Sequence, residues 1–269
     1  MSVSVVSYGG GVQSTALLVL AAQGEIDYRT FLFANVGDDS EHPASLRYVR
    51  EVAAPYAAAH GIELAELQRT WKRGDRKGQV ETLWGRLTRE GSRSIPIPVR
   101  MSGGSPTNRA CTGDFKIDVI AADLRRRGAT ADDPATVALG ISVDEIERAR
   151  PGIDPRSPLQ RRVYPLLDLG LSRGDCRRVI ADGGLPVPPK SSCFFCPFHD
   201  ADAWRNLLDE TPELFAKSVE LERKLNERPG RDKNPVYLTR HGIPLDRAVN
   251  DDQYRLDGMA GCDSGFCMT

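Results

Sequence analysis

The feature that most constrains this chain lies at its start. A short apolar segment, Ser2 to Ser7, runs into three successive glycines, Gly9 to Gly11, and then into an Ala- and Leu-rich helical run, Gln13 to Gln23. Strand, glycine turn and helix in that order form half of a βαβ unit, and the pattern recurs. Tyr28 to Phe33 reads as a second strand, Pro43 to His60 as a helix and Ile62 to Leu67 as a third strand. Ile117 to Arg127 reads as a further helix, and Thr136 to Ile141 as a further buried strand. Strands alternating with helices imply an α/β fold with a parallel sheet covered on both faces. In such sheets ligands gather at the carboxyl ends of the strands.

The 269 residues suffice for one large α/β domain or a core domain with a small appendage. With 40% hydrophobic and 27% charged residues, the composition is that of a soluble globular protein. The apolar stretch Thr15 to Ala22 is too short to span a bilayer, and no basic segment precedes an apolar one as in a secretory signal; the expectation is a cytoplasmic protein without a membrane partner. A net charge of -1 means that a nucleic-acid partner would need a local basic surface. Arg86, Arg89, Arg93, Arg100 and Arg109 fall in one stretch, and Asp123 to Arg127 reads DLRRR; for either alone, a solvated charged face is the plainer reading.

Residues 69–109 are long, Gly-, Arg- and Pro-containing and poorly periodic, which suggests an excursion or lid over the strand ends. Pro151 to Arg162 reads as a second gap. Beyond Pro186 the chain changes character, with VPPKSSCFFCPF followed by helices around Trp204 to Leu208 and Pro212 to Asn226, then a tail from Asn250 to Thr269. The expected division is an α/β domain over 1–185, carrying the 69–109 insertion, and a small cysteine-containing helical region over 186–269. No internal repeat or low-complexity segment is visible.

Ser7-Tyr8-Gly9-Gly10-Gly11-Val12-Gln13-Ser14-Thr15 joins the first strand to the first helix, where backbone amides and the helix dipole can receive a phosphate group. A plain tight turn is the alternative. The turn is neither a Walker loop, since no GKS or GKT follows, nor the GxGxxG of a dinucleotide fold. It resembles the PP-loop of the ATP pyrophosphatases, usually SGGKDS after the first strand: Gly10, Gly11 and Ser14 match, with Gly9, Val12 and Gln13 in place of serine, lysine and aspartate. Losing the lysine requires another cation, for which Lys116 and Arg148 are candidates.

The resemblance continues. Phe33 to Gly37, with Asn35, falls where that family's second strand ends against adenine and ribose. Gly140 to Glu145, including Asp144, with Arg148 resembles its GxRxxES...R segment. Ala110-Cys111-Thr112 with Phe115-Lys116, and Tyr164-Pro165-Leu166 leading to Cys193-Phe194-Phe195-Cys196, resemble segments of the adenylyl-sulfate reductases. These pieces cover about two thirds of the chain in order and spacing. The resemblance implies an adenine nucleotide alpha hydrolase-like fold with ATP held by Ser7, Gly9, Gly10, Gly11, Gln13, Ser14, Asn35, Gly140, Asp144 and Glu145.

Six cysteines in a chain expected to be cytosolic argue for metal or redox use. Cys193 and Cys196 have metal-ligand spacing, which by itself leaves zinc, cluster and redox pair open, although CFFC lies in a Pro-rich loop and so is unlike a thioredoxin motif. The resemblance implies a [4Fe–4S] cluster on Cys111, Cys193 and Cys196, with Cys262 or Cys267 as fourth ligand or an open iron that binds a sulfur donor; Cys267 could instead carry sulfur. Cys176 reads as a core cysteine. His60 reads as a last-turn cation, and His42 and His241 as surface histidines. Asp38, Asp39 and Glu41 could hold Mg²⁺, with helix capping by Asp39 or Ser40 an equal reading.

The implied function is an ATP pyrophosphatase that adenylylates a substrate for sulfur incorporation, similar to the sulfur-incorporation enzymes of DNA phosphorothioation systems. That would bring a cysteine desulfurase, other modification-complex subunits and a nucleic-acid acceptor as partners. A phosphoadenylyl-sulfate or adenylyl-sulfate reductase, a tRNA thiolase and a non-catalytic ATP-sensing subunit are the alternatives.

Overall fold

The computed structural model describes residues 3–231 and 233–250. In chain order the elements are β1 (Ser4–Ser7), α1 (Val12–Gln23), β2 (Thr30–Asn35), α2 (Pro43–Arg47), a π turn (Tyr48–Ala53), α3 (Ala54–Ala59), β3 (Glu63–Gln68), α4 (Leu83–Thr88), β4 (Arg100–Met101), α5 (Ala110–Thr112), a second π turn (Gly113–Ile117) and α6 (Asp118–Arg126). Then follow β5 (Ala135–Leu139), a 3₁₀ segment (Val143–Arg148), β6 (Gly152–Asp154), β7 (Ser157–Val163), α7 (Pro165–Asp168), α8 (Arg173–Asp182), α9 (Ala201–Glu210), α10 (Pro212–Asn226), β8 (Val236–Tyr237) and α11 (Leu245–Ala248). They divide into two compact units, one from the start to Val80 plus Gly113–Ser191, the other Glu81–Thr112 plus the chain from Ser192 onward. The sequence reading instead groups 81–112 with the first unit's residues and 186–191 with the second's.

The first unit holds a six-stranded sheet in the order β3-β2-β1-β5-β7-β6. Every pair is parallel except β6–β7. Alternation along the central strands sends successive side chains to opposite faces. Val6, Phe31, Phe33 and Ala138 join one apolar cluster with α1, the first π turn, α3 and α8. Val5, Leu32, Ala34 and Val137 join another with α6. Both faces are therefore covered, as the expected α/β class requires.

The run expected as one helix over Pro43–His60 is helical in three pieces. Pro55 has no amide to donate back along the helix, and the wide Tyr48–Ala53 turn ends two residues before it. The helix is capped at its start by the His42 imidazole, which accepts from the Ala44 amide at 3.2 Å, and not by Asp39 or Ser40. It ends at Gly61 (φ +66°), with the Ile62 amide donating to the Ala57 carbonyl at 2.9 Å.

Pro151–Arg162, expected to lack regular structure, instead forms the β6–β7 hairpin, and β7 adds in parallel to β5. Its polar Gln160 is buried and donates to the Ile117 carbonyl at 3.1 Å. The strand is held by its ladder more than by an apolar pattern.

In the second unit, β4 pairs antiparallel with β8. Trp204, Leu207, Leu214, Phe215, Leu221 and Leu225 of α9 and α10 are buried. No helix among the described residues is long and apolar enough to cross a membrane.

Candidate functional site

In the first unit's sheet, β1 continues through β2 to β3 on one side, while β5 and β7 extend the other side. The strand order therefore reverses between β1 and β5, and a crevice opens at the carboxyl ends of strands at such a point. Ser7 is the last residue of β1, level with Leu32 on one side and Leu139 on the other. β2 runs on to Asn35 and forms a wall beyond it.

The glycine turn fills the floor. Gly10 has φ +74°, a conformation that disfavours any side chain, and a Cβ there would lie 3.2 Å from Val49 Cγ2 and 3.4 Å from Ser191 Oγ. Ser191 Oγ donates to the Gly9 carbonyl at 2.6 Å. Ser14 Oγ accepts from the Gly11 amide at 3.2 Å and donates to the Gly11 carbonyl at 3.1 Å, which locks the turn to the first turn of α1. Helix geometry leaves the Val12, Gln13 and Ser14 amides without intrahelical acceptors, and no acidic side chain in that turn offsets the helix dipole. An anion is the natural complement.

Gly140 closes the other side. Its missing Cβ would lie 3.0 Å from the Ser14 amide nitrogen and 3.1 Å from Gln13, so only glycine lets the end of β5 press against the start of α1. Ser7, Gly9, Gly10, Gly11, Gln13, Ser14 and Gly140 are thus gathered.

The segment after β5 is tied down differently. Asp144 Oδ2 accepts from Ser142 Oγ at 3.3 Å and from the Arg173 amide at 2.5 Å, so it is engaged at the start of α8. Glu145 and Arg148 pair with each other, with side chains only 4% and 8% exposed. Burial draws the Arg148 guanidinium below its ordinary value, opposed by the Glu145 charge. Arg148 Nε, Arg148 Nη2 and Glu145 Oε1 are buried without a hydrogen-bond partner among the described residues. Such atoms call for an acceptor and a donor that the described residues do not supply.

Asn35 belongs to a network that the sequence reading missed. Its amide donates to Asp38 Oδ1 and Glu66 Oε1, both at 2.7 Å, and its carbonyl accepts from the Gly37 amide at 2.8 Å. Arg50 grips both carboxylates, and its bonds hold Asp38 and Glu66 below the usual carboxylate range. Glu41 is buried, and burial pushes its carboxyl up while the charge of Lys116 opposes this. The charge of Lys116 thus acts on Glu41.

The sequence reading also missed Ser191 and its strap. Tyr48 donates to the Pro186 carbonyl at 2.6 Å and Ser45 to the Lys190 carbonyl at 3.3 Å, carrying 186–191 across the helix to the glycine turn. Contacts between residues 182 positions apart leave no local signature.

In the second unit, Phe194 and Phe195 are buried with ring centroids 5.6 and 5.5 Å from Trp84, anchoring the turn between Cys193 and Cys196. The Cys196 amide donates to the Cys193 carbonyl at 3.1 Å, and His199 Nε2 lies 3.0 Å from that carbonyl. The Cys111 amide donates to the Pro96 carbonyl at 2.7 Å. Among the described residues no group of three or more His, Cys, Asp or Glu side chains is placed to hold a metal ion. The expected Cys111, Cys193 and Cys196 set is therefore not gathered as such a group, nor are Asp38, Asp39 and Glu41; Cys262 and Cys267 lie outside the described residues. Cys176 is fully buried in the core, and burial pushes its thiol up to about 12.

No protein-family model and no curated protein matches the chain. Among solved structures it is similar to phosphoadenylyl-sulfate (PAPS) reductase from Candida auris in its phosphate complex. The identity is 14%, over 70% of this chain and 76% of that one, with a TM-score of 0.45.

Proposed function

We propose that this chain is an enzyme of the PP-loop type that binds ATP over the glycine turn and transfers its adenylyl group to an acceptor oxygen, which activates the acceptor for sulfur incorporation in nucleic acid. One observation carries the reading: at the point where strand order reverses, Gly9 to Gly11, the uncompensated start of α1 and Gly140 form a single anion-receiving floor.

In this reading the amides of Val12, Gln13 and Ser14 receive phosphate oxygens, and the Gly10 backbone approaches them closely because it carries no Cβ. Arg148 fits the role of the missing loop lysine better than Lys116. Its buried Nε and Nη2 have no acceptor among the described residues, whereas the charge of Lys116 acts on Glu41. The acceptor oxygen forms a bond to the α-phosphorus, the bond between that phosphorus and the α–β bridging oxygen breaks, and the electron pair leaves with pyrophosphate. Fixed dipoles and a positioned cation stabilise the charge that develops. The outer sulfur of a persulfide from a cysteine desulfurase then bonds to the activated centre as the bond to the adenylate oxygen breaks and AMP leaves, and a second thiol, the reductant, cleaves the resulting disulfide so that the sulfur stays on the acceptor. The described residues gather no metal group, so no step is assigned to Mg²⁺ or to an iron–sulfur cluster.

The test is pyrophosphate release from ATP by the full chain, with an oligonucleotide and a cysteine desulfurase present. Release that depends on Gly10 supports the reading. ATP binding without release under all of these conditions would replace it with ATP sensing.

A further inference from the structure

Within the second unit lies a cavity of about 360 Å³ lined by Arg93, Met101, Arg228, Pro229, Gly230, Arg231 and Asn234. Its size is within the range of small-ligand sites. Three guanidinium groups line it, and no carboxylate among the described residues does. Like charges gathered on one wall repel each other, and Arg228 registers this: burial draws its guanidinium down, and the neighbouring Arg231 charge draws it further.

Local backbone chemistry brings these groups together. Arg228-Pro229-Gly230-Arg231 forms a tight turn in which the Arg231 amide donates to the Arg228 carbonyl at 3.1 Å, with proline second and Gly230 third at φ +83°. The next turn returns the Asn234 amide to the Arg231 carbonyl at 3.2 Å. Arg228 fixes the whole turn: its Nη1 donates to the Ser94 carbonyl at 2.9 Å, and its Nη2 donates to the Leu87 carbonyl at the end of α4. Arg228 is thus a fixed charge in the lining, while Arg93 is exposed.

The other arginines of the 86–109 stretch have structural uses. Arg86 and Arg89 bond Glu81, and Arg100 and Arg109 lie over the Phe198 ring at 5.3 and 5.5 Å. Arg93 is the one that this cavity takes.

We infer that this cavity is a binding site for a phosphate group, contacted by Arg93 and Arg231 with Arg228 supplying fixed charge in the lining. Guanidinium forks match the paired oxygens of phosphate, and three of them offset its charge in a recess partly withdrawn from water. The group could come from a small phosphate compound or from a nucleic-acid backbone. The inference does not rest on the nucleotide reading, because the cavity lies wholly in the second unit.

The experiment uses the full chain and two probes, inorganic phosphate followed by calorimetry and a labelled single-stranded DNA 12-mer followed by anisotropy across a salt series. The variant is Arg93→Gln with Arg231→Gln; Arg228 is left in place because it holds the Leu87 and Ser94 carbonyls. The double variant should lose at least about tenfold in affinity for the probe that binds, and for DNA the slope of log K against log salt should shrink by about 1.4, two contacts at about 0.7 each. Arg93→Lys with Arg231→Lys should keep the slope and lose less affinity. Phosphate binding without DNA binding assigns the site to a small compound, and DNA binding with the slope change assigns it to a backbone. Equal binding by wild type and the glutamine variant, or no binding of either probe at 50 mM salt (roughly, where such contacts are strong), overturns the inference. Pyrophosphate release measured in parallel reports the glycine-turn site alone.

Discussion

At Gly10 two constraints coincide: the backbone is left-handed, and Val49 and Ser191 already occupy the space a side chain would need. Gly10→Val should abolish ATP binding while leaving the sheet folded, since the strain of a β-branched residue at positive φ, on the order of 1–2 kcal/mol, falls on the turn. Equilibrium ATP binding and far-UV circular dichroism on the same sample check it; unchanged affinity would make the turn merely structural. Gly140 acts through its neighbour. Gly140→Ala puts a methyl 3.0 Å from the Ser14 amide nitrogen, so the start of α1 must shift. The expected result is a stability loss of about 1–3 kcal/mol together with weakened ATP binding. Denaturant titration and ATP titration separate the two, and a stability loss with full affinity would remove Gly140 from the phosphate floor.

At the scale of elements, α1 and α8 meet through the apolar cluster containing Leu17, Leu20, Cys176 and Ile180. α8 starts with a reciprocal cap: Ser172 Oγ accepts from the Asp175 amide at 3.1 Å, and Asp175 Oδ2 accepts from the Ser172 amide at 2.9 Å. Ser172→Ala should cost about 1 kcal/mol in urea unfolding, the usual value of such a cap. No loss would mean that packing alone sets the start of the helix. β1, α1, β2, β3, α6 and β5 were legible in the sequence, since each carries an apolar run or stripe bounded by glycine or polar turns. β7 was not, because Ser157-Pro-Leu-Gln-Arg-Arg-Val lacks alternation and is specified by pairing with β5. The same division holds for the site. Gly9 to Gly11 and Gly140 announce themselves as glycines beside strand ends, but the Ser191 contact to Gly9 and the Arg50 grip on Asp38 and Glu66 exist only once distant segments meet.

At the scale of the whole molecule, Glu222 of the second unit should answer to pH with the opposite sign from the ion-paired carboxylates of the first. In the first, ion pairs with Arg50, Arg127 and Arg156 hold Asp38, Glu66, Glu63 and Asp118 below the usual range. Their contribution is present at neutral pH and is lost as pH falls through those lowered values. In the second unit, Glu222 is 4% exposed on α10, with Oε2 accepting from the Leu238 amide at 2.6 Å and Oε1 from the Leu245 amide at 2.8 Å. Burial pushes its carboxyl from 4.5 to about 7, against those two hydrogen bonds and with help from the Asp246 charge. A group raised on folding binds its proton more tightly in the native state, so its contribution is full below pH 4.5 and is lost as pH rises through about 7. The span corresponds to on the order of 3 kcal/mol at most. Glu220 on the same helix, held down to about 2, changes charge below this window and does not blur it. Trp84 and Trp204 report the second unit in a Trp71→Phe background. Their unfolding midpoint in urea should fall from pH 5 to pH 7.5 and then level off, pH values roughly bracketing the titration. Glu222→Gln should be less stable at the acid end by about 1–3 kcal/mol, because the amide NH₂ faces one of the two backbone donors, yet its midpoint should not vary across the window. The same slope in the variant would assign the pH dependence to another group.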